Sequence, residues 1–186
     1  CQPPRALPAD DPFWAHHPEV AGQPEVLADD AGHPLELRSF CTSTAEVKRY
    51  LVEAGAELAR LVPGLGGVIM ITASEYPSHC WGRRGRIMLG DGSYADAEME
   101  CPRCARRRPE EVIAEVIKLV RDGIRQQSER FKIIAWNWSW SFFVPSPCTE
   151  IISRLPADVI LMADFERGGR KVILGRERVV DEYSLG

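Results

Sequence analysis

Three cysteines and a histidine lie near one another in the chain, and both residue types bind transition metals. His79 and Cys80 are adjacent, whereas Cys101 and Cys104 have the Cys-x-x-Cys spacing. Such a knuckle lets two thiolates reach one ion from a tight turn, and tetrahedral zinc takes four sulfur or nitrogen ligands. The expected ligands of a structural zinc are therefore His79, Cys80, Cys101 and Cys104. A disulfide or free thiols are the alternatives, and Cys41 is the other candidate for fourth ligand if His79 faces a substrate.

A catalytic metal is less favoured by the same residues. A site with three sulfurs is closed and electron-rich, whereas open catalytic sites favour imidazole and carboxylate ligands. We expect no cofactor for catalysis, and a metal-dependent hydrolase is the weakest of the functional hypotheses.

Carboxylates end two of the apolar segments. Glu75 is the last residue of the run at 66–75, and Glu166 is the last residue of the run at 158–166. Cleavage of a glycosidic bond uses two carboxylates, one to protonate the leaving oxygen and one to stabilise or attack the oxocarbenium-like centre. We expect Glu75 to be the general acid and Glu166 the second carboxylate. The candidate substrate contacts are Tyr76, His79, Trp138, Trp140, Glu182 and Tyr183.

Three tryptophans alternate along one predicted strand. Trp136, Trp138 and Trp140 share one of its faces, because side chains in a strand repeat with period two. A flat indole ring covers the apolar face of a sugar while its N–H still forms a hydrogen bond. We expect Trp136 to pack in the core and Trp140, which is nearest the strand end, to contact the ligand.

Alternating strands and helices must position these residues. Strands are predicted at 35–40, 66–75, 132–140 and 158–166, and helices after the capping box at 43–46, from Pro109 onward and at 148–155. Such alternation predicts a parallel sheet, whose functional groups collect at the carboxyl ends of the strands. The sheet is expected to be either doubly wound or part of a (β/α)8 barrel. The absence of a glycine-rich phosphate loop argues against a nucleotide-binding doubly wound fold, and a closed barrel needs ~250 residues. The prediction is an α/β fold, a partial (β/α)8 TIM barrel of about four parallel strands with intervening helices.

The chain divides at about residue 34. Residues 1–34 contain many prolines and little apolar periodicity, which predicts a loop, a linker or a remnant of a preceding barrel segment. Residues 35–186 are expected to form the partial barrel, with a cysteine-rich loop at about 76–108. Because the first residue is Cys1 rather than Met, we favour a piece of a longer protein over a mature lipoprotein. The rest of the barrel is then expected outside this chain.

The composition excludes some classes of partner. Of the 186 residues, 45% are hydrophobic and 27% are charged, which suits a globular core. The 23 Lys and Arg residues against 27 Asp and Glu give a net charge of -4, whereas phosphate contacts need a basic surplus. No apolar run approaches the ~20 residues that span a bilayer. We expect neither a nucleic-acid partner nor a membrane span.

Seven short motifs occur in order along most of the chain. They are CTST at 41–44, PGLGGV at 63–68, TASE at 72–75, HC at 79–80, CPRC at 101–104, WNW at 136–138 and EYS at 182–184. Their order and spacing resemble the barrel region of bacterial proteins described as similar to glycoside hydrolase family 20. The resemblance implies a sugar-processing barrel with an Asp-Glu pair at the end of its fourth strand. In that pair, Glu protonates the leaving oxygen and Asp orients the 2-acetamido group of the substrate.

This sequence departs from the family pattern at one position of the pair. Glu75 matches the Glu, but Ser74 stands where the family has Asp, and serine cannot supply the negative charge that steadies the acetamide. The resemblance therefore implies a glycosidase whose second carboxylate is Glu166 or Glu182, acting on a carbohydrate. The alternative is a non-catalytic carbohydrate-binding barrel stabilised by a structural zinc.

Overall fold

The computed structural model describes residues 4–28, 31–73, 76–82, 86–88, 94–96, 98–145, 147–163 and 170–179. The helices are α1 (Phe13–His16), α2 (Ala45–Leu61), α3 (Pro109–Arg125) and α4 (Thr149–Ile152). The strands are β1 (Leu7–Pro8), β2 (Ala21–Ala28), β3 (Pro34–Phe40), β4 (Gly67–Ile71), β5 (Arg86–Met88), β6 (Tyr94–Asp96), β7 (Lys132–Trp136), β8 (Ile160–Met162), β9 (Arg170–Ile173) and β10 (Arg176–Val179).

A parallel sheet lies at the centre of the fold. Its three strands are in the order β4-β7-β8, with Gly67 opposite Lys132 and Ile134 opposite Ile160. Helix α3 connects β4 to β7, and α4 lies between β7 and β8. The fold is therefore mixed α/β with a parallel sheet. Within the described ranges the sheet has three parallel strands rather than about four, and it does not close into a barrel.

Strand β3 is not part of this sheet, contrary to the sequence prediction. It pairs antiparallel with both β1 and β2, with Leu37 opposite Glu25 and Leu35 opposite Leu27. Its last residue, Phe40, forms an isolated parallel bridge with His79, beyond the end of β4. The alternating pattern of β3 is typical of an antiparallel strand with one exposed face, whereas the parallel strands are more continuously apolar.

The prediction of a loop or linker before residue 34 is wrong for the segment that contains α1 and β2. The aromatic rings of Phe13 and Trp14 pack against Phe40, with ring centroids 5.6 and 5.1 Å away. Strand β2 tolerates Pro24 because it lies at the edge of its sheet, where a missing N–H breaks no ladder. The prolines that suggested a loop are thus compatible with an edge strand.

Helices α2 and α3 cover one face of the parallel sheet. Thr44 caps α2, since its hydroxyl accepts a hydrogen bond from the Val47 amide at 3.3 Å, one residue later than the Ser43 cap that the sequence suggests. The two helices approach closely at Gly123, where an added Cβ would lie 1.9 Å from the Val52 carbonyl oxygen. The buried core between helices and sheet includes Leu51, Met70, Ile113, Ile117, Val120, Ile124, Ile133 and Ala135.

The opposite face of the parallel sheet is also apolar. Ile69 and Ile160 lie on it and are 44% and 46% exposed among the described residues. The side chains that alternate with them, such as Met70 and Ile133, point into the helical core and are fully buried.

A hairpin lies near the end of the chain, where the sequence suggested either a hairpin or a loop. Strands β9 and β10 pair antiparallel through a two-residue turn at Leu174 and Gly175, both of which have positive φ. No helix in the described ranges is both long enough and apolar enough to cross a bilayer.

Candidate metal centre

Four cysteines from three separate segments meet at one point. Cys41 follows β3, Cys80 lies in the loop after β4, and Cys101 and Cys104 precede α3. All four side chains are buried, and their sulfur atoms lie within 4.8 Å of one another. The cluster therefore brings together the predicted ligands Cys80, Cys101 and Cys104 and the alternative fourth ligand, Cys41. These residues could hold a metal ion.

The distances between the sulfurs fit coordination rather than cross-linking. The Sγ atom of Cys41 lies 3.6 Å from that of Cys101 and 3.8 Å from that of Cys104. A tetrahedral ion with Zn–S bonds of ~2.3 Å places its sulfurs about 3.8 Å apart, whereas a disulfide bond is ~2.05 Å long. None of these four cysteines forms a disulfide bond. The predicted alternative of a disulfide is not observed among them.

Local turns present the sulfurs to the centre. After Cys101, the chain turns so that the Ala105 amide donates to the Cys101 carbonyl oxygen at 2.9 Å, which brings Cys101 and Cys104 onto one side. After Cys80, the Gly82 amide donates to the His79 carbonyl oxygen at 2.7 Å. An added Cβ at Gly82 would lie 2.8 Å from the Ser78 amide nitrogen, so this turn requires glycine.

Strand β2 lies directly against the cluster. An added Cβ at Gly22 would be 2.7 Å from the Cys80 sulfur and 2.8 Å from the Ser39 carbonyl oxygen. The buried Gln23 side chain accepts hydrogen bonds from the amides of Glu100 and Cys101, at 2.9 and 3.2 Å. Sequence reasoning missed both residues because a Gly-Gln pair in a proline-rich segment has no characteristic spacing.

Two arginines add positive charge beside the sulfurs. Arg103 Nε donates to Cys41 Sγ at 3.1 Å. Arg107 Nη1 donates to Ser43 Oγ at 3.2 Å, and that oxygen lies 3.3 Å from Cys104 Sγ. The arginines after Cys101, which the sequence alone suggests to be a solvated loop, therefore include two that contact the cluster or its nearest hydroxyl.

The pKa values of the four cysteines shift in opposite directions. Hydrogen bonds from Cys101, Cys104 and Cys80, together with Arg103, hold the pKa of Cys41 far below its usual range. The hydrogen bond from Cys104 lowers the pKa of Cys101 to about 6. Hydrogen bonds to Cys101, then Cys104 and Cys41, raise the pKa of Cys80, and hydrogen bonds to Cys101 and then Cys41 raise the pKa of Cys104. Such a mixture of thiols and thiolates is suited to a cation that replaces the remaining protons.

His79 is not in the sulfur cluster, contrary to the predicted ligand set. Its Nε2 atom lies 2.7 Å from the Thr72 carbonyl oxygen and must donate, because a carbonyl only accepts. Its Nδ1 atom accepts the Trp81 amide at 3.2 Å. Burial lowers the pKa of His79 to about 4, in keeping with this neutral tautomer. Both ring nitrogens are thus occupied by the backbone, and His79 is neither a ligand nor a substrate contact.

Trp140 is a core residue rather than the predicted substrate contact. Its side chain is completely buried, and its indole N–H donates to Thr72 Oγ1 at 3.2 Å. Strand β7 ends at Trp136, four residues before the predicted end, so Trp140 lies in the short 3-10 helix Trp140–Phe142 instead. Trp136 is partly buried, as expected for a packing residue.

Tyr76 and Trp138, the other two aromatic candidates that the structure describes, are partly exposed. The Tyr76 hydroxyl donates to the Ala6 carbonyl oxygen at 3.1 Å, and the Arg5 guanidinium lies 4.3 Å from the centre of its ring. Trp138 packs edge to face on Trp136, with ring centroids 4.6 Å apart. The carboxylates Glu75, Glu166 and Glu182, together with Ser74 and Tyr183, lie outside the described residues.

No protein-family model, no curated protein and no solved structure matches this chain.

Proposed function

We propose that the cluster of Cys41, Cys80, Cys101 and Cys104 binds one structural zinc ion. The observation that carries the proposal is the convergence of four buried sulfurs within 4.8 Å. Zinc suits four thiolates, has no redox chemistry of its own and accepts the tetrahedral arrangement that the measured distances fit. Because four protein ligands leave no open position for water or substrate, the ion stabilises the fold and does no chemistry.

The role of the ion is to join segments that are distant in sequence. Cys41 directly follows β3 of the antiparallel sheet, Cys80 lies in the loop after the parallel strand β4, and the Cys101 knuckle precedes α3. In the unfolded chain these segments are separate, so the free energy of metal binding is also free energy of folding.

Metal analysis of the purified protein tests this proposal. We expect one zinc per chain in the wild type, and loss of the ion in Cys104→Ser. Replacement of zinc by Co²⁺ is expected to give the visible absorption of a tetrahedral tetrathiolate site. The matched control is Cys148→Ser, because Cys148 is also a buried cysteine but packs in the apolar core.

Two results would contradict the zinc proposal. The first is a wild-type protein that folds without a metal and does not bind Co²⁺. The second is a Cys104→Ser variant that keeps one tightly held ion with an unchanged Co²⁺ spectrum.

We propose as a second candidate that the domain is part of a (β/α)8 barrel that hydrolyses glycosidic bonds. The supporting observation is the pair formed by Trp136 and Trp138 at the carboxyl end of β7, where both rings remain partly exposed. In such folds, loops at the carboxyl ends of the strands bear the active site. Glu75 follows β4, the neighbouring strand, and is proposed as the general acid, with Glu166 or Glu182 as the second carboxylate.

Hydrolysis of a panel of nitrophenyl glycosides by the wild type and by Glu75→Gln tests this candidate. We expect turnover to fall at least a hundredfold in the variant, because general acid catalysis contributes about 10²–10⁴-fold. Glu129→Gln is the control, since Glu129 is exposed near the amino end of β7. Undiminished turnover by Glu75→Gln would remove Glu75 from the reaction. Sugar binding without any hydrolysis would instead favour a non-catalytic carbohydrate-binding barrel.

A further inference from the structure

One guanidinium group bridges the cysteine cluster and strand β2. Arg103 Nε donates to Cys41 Sγ at 3.1 Å, and Arg103 Nη2 donates to the Ala21 carbonyl oxygen at 2.7 Å. These two N–H groups lie on the same side of the planar group and point in parallel. Arg103 is thus positioned by the Cys-Pro-Arg-Cys turn to hold a ligand atom and a strand at once.

We propose that Arg103 is a latch that couples retention of the metal to closure of strand β2 over the site. The proposal rests on the zinc centre proposed above. It assigns Arg103 as a positioning residue, because the guanidinium acts on the metal only through Cys41.

Strand β2 is the part of the fold that covers the cluster on this side. The Cα of Gly22 comes so close to Cys80 that no side chain fits between them, and Gln23 orders the backbone that enters the knuckle at Cys101. Water or a chelator that approaches from this side must displace residues 21–23. The rate at which the ion leaves is therefore governed by how firmly β2 is held.

Charge explains why the latch depends on the metal. A zinc ion with four thiolates has a net charge of -2, and a metal-bound Cys41 accepts the Arg103 hydrogen bond as an anion. Charge-assisted hydrogen bonds are roughly twice as strong as neutral ones. When the ion departs, Cys41 loses the coordinate bond that fixes its sulfur opposite Arg103, so the hold of Arg103 on Ala21 loosens as well.

A second arginine contributes to the same balance without contacting the strand. Arg107 donates to Ser43 Oγ, and Ser43 must donate to Cys104 when that sulfur is bound to metal and has no proton of its own. Arg107, which also pairs with Glu115 at 2.8 Å, reaches the centre only through Ser43, whereas Arg103 bonds a ligand sulfur directly. The neutral Ser39 hydroxyl also lies between a ligand sulfur and β2, 3.9 Å from Cys80 Sγ and 3.1 Å from the Gln23 carbonyl oxygen, so Arg103 is the charged one of two links.

Coupling of this kind is reciprocal. If the ion strengthens the attachment of β2, the attached strand must strengthen the binding of the ion by the same factor. The latch therefore predicts that one substitution changes two measurements together: the rate of zinc release and the rate of amide hydrogen exchange in residues 21–28.

The test compares Arg103→Met with Arg106→Met in the full chain loaded with zinc. Both remove one positive charge from an exposed position in the same loop, but it is Arg103 that bonds Cys41 and Ala21. We expect Arg103→Met to bind one zinc, to release it to a chromophoric chelator at least tenfold faster than the wild type, and to show faster exchange across residues 21–28. Arg106→Met is expected to match the wild type in both measurements.

The outcomes separate the latch from the zinc site itself. A wild type that holds no metal overturns the zinc proposal, and the latch with it. A wild type with one zinc whose release rate and β2 exchange are unchanged in Arg103→Met overturns the latch alone. If Arg103→Met does not fold with metal, Arg103→Lys decides, because lysine keeps the charge but cannot form the two parallel bonds. Wild-type rates in Arg103→Lys would show that charge suffices and the latch is wrong.

Discussion

The helical core and the cysteine cluster hold the same chain together by different means. Between α2, α3 and the parallel sheet, large aliphatic side chains such as Leu51, Ile113 and Ile133 are fully buried against one another. Around the four cysteines, by contrast, the partly buried hydrophobic residues that pack on the sulfurs within the described ranges are Trp81 and Met99. The core can form from apolar burial alone, whereas the cluster has little apolar surface to bury.

This difference indicates where the proposed ion would support the fold. Burial of a large aliphatic side chain contributes roughly 1.5–3 kcal/mol, and the core contains many of them. The cluster joins short strands and loops through hydrogen bonds and small side chains, each of which contributes far less. We infer that metal coordination replaces the missing apolar contacts at this end of the molecule.

Removal of the metal is expected to have the largest effect. Structural zinc contributes ~10–16 kcal/mol to the folding of small zinc-finger peptides, and even a part of that would lower the melting temperature by about 10 °C or more in a chain of this size. We expect a chelator to accelerate hydrogen exchange in residues 21–28, 34–41 and 98–108 before it affects α2 and α3. Hydrogen exchange with mass spectrometry, with and without chelator, provides the measurement.

Equally fast hydrogen exchange in the core and the cluster would contradict this contrast between the two regions. If α2 and α3 exchange as fast as the cluster once the metal is gone, the two regions form one cooperative unit, and the core does not stand without the ion.

The cluster shows what the sequence can and cannot predict about a site. The spacing of Cys101 and Cys104 predicts a knuckle because both ligands lie in one turn, so local geometry decides. The choice between His79 and Cys41 as fourth ligand depends on how distant segments pack, and neither spacing nor residue type expresses that. Two hydrogen bonds to the backbone, at Thr72 and Trp81, hold the His79 ring away from the sulfurs, and no sequence motif marks them.

For the fold as well, the sequence predicts individual elements better than it predicts how they pair. Apolar runs located β4, β7 and the core of α2 and α3, because burial imposes periodicity on each element. The partners of β3 were not predictable from its own pattern, since the pairing depends on β2, whose prolines made it look like a loop. The length of β7 was also overestimated, because the alternation of Trp136, Trp138 and Trp140 continues beyond the last pair of the ladder.

Gly123→Ala tests the packing of α2 against α3 in the helical core. Alanine favours a helix over glycine by up to ~1 kcal/mol, but here the new methyl group would lie 1.9 Å from the Val52 carbonyl oxygen. Overpacking of this kind costs typically ~1–3 kcal/mol, so the net effect is expected to be destabilising. The melting temperature should fall by several degrees, while the zinc content and the Co²⁺ spectrum stay unchanged.

Gly64→Ala is the matched control for this prediction, because an added Cβ there meets nothing within 4 Å. Equal melting temperatures for the two variants would show that α2 and α3 can separate at no cost. A loss of zinc from Gly123→Ala would show that the core and the cluster are coupled more tightly than their packing indicates.

Trp140→Phe is expected to have a smaller effect that also falls on the core. Phenylalanine keeps most of the apolar volume but leaves Thr72 Oγ1 without its indole donor. A lost buried hydrogen bond costs about 1–3 kcal/mol. Chemical denaturation should therefore show reduced stability with unchanged metal binding. If stability is unaffected, the indole N–H contributes nothing to the core, and its assignment as a structural residue is wrong.

The smallest expected effect concerns an ion pair at the surface of the core region. Asp158 accepts hydrogen bonds from Arg125 Nε at 2.7 Å and from Arg121 Nε at 3.0 Å, which ties the loop before β8 to the end of α3. Desolvation pushes the pKa of Asp158 upward, but the two arginines outweigh it and hold the pKa below its ordinary value. Since the group is partly exposed, we expect Asp158→Asn to cost at most ~1 kcal/mol at neutral pH.

The pH dependence of this cost follows from the lowered pKa. A carboxylate whose pKa is depressed in the folded state adds its full stability above the unfolded value of ~3.9 and loses it as the pH falls through the folded value. The stability of the wild type should therefore exceed that of Asp158→Asn at pH 7 and approach it in acid. Urea denaturation of both proteins at each pH measures the difference in their free energies of unfolding. Both proteins release zinc in acid, so this release cancels in the difference. A difference that persists at low pH would mean that Asp158 acts through packing rather than charge. Asp10→Asn, at an exposed position in another part of the chain, is the control.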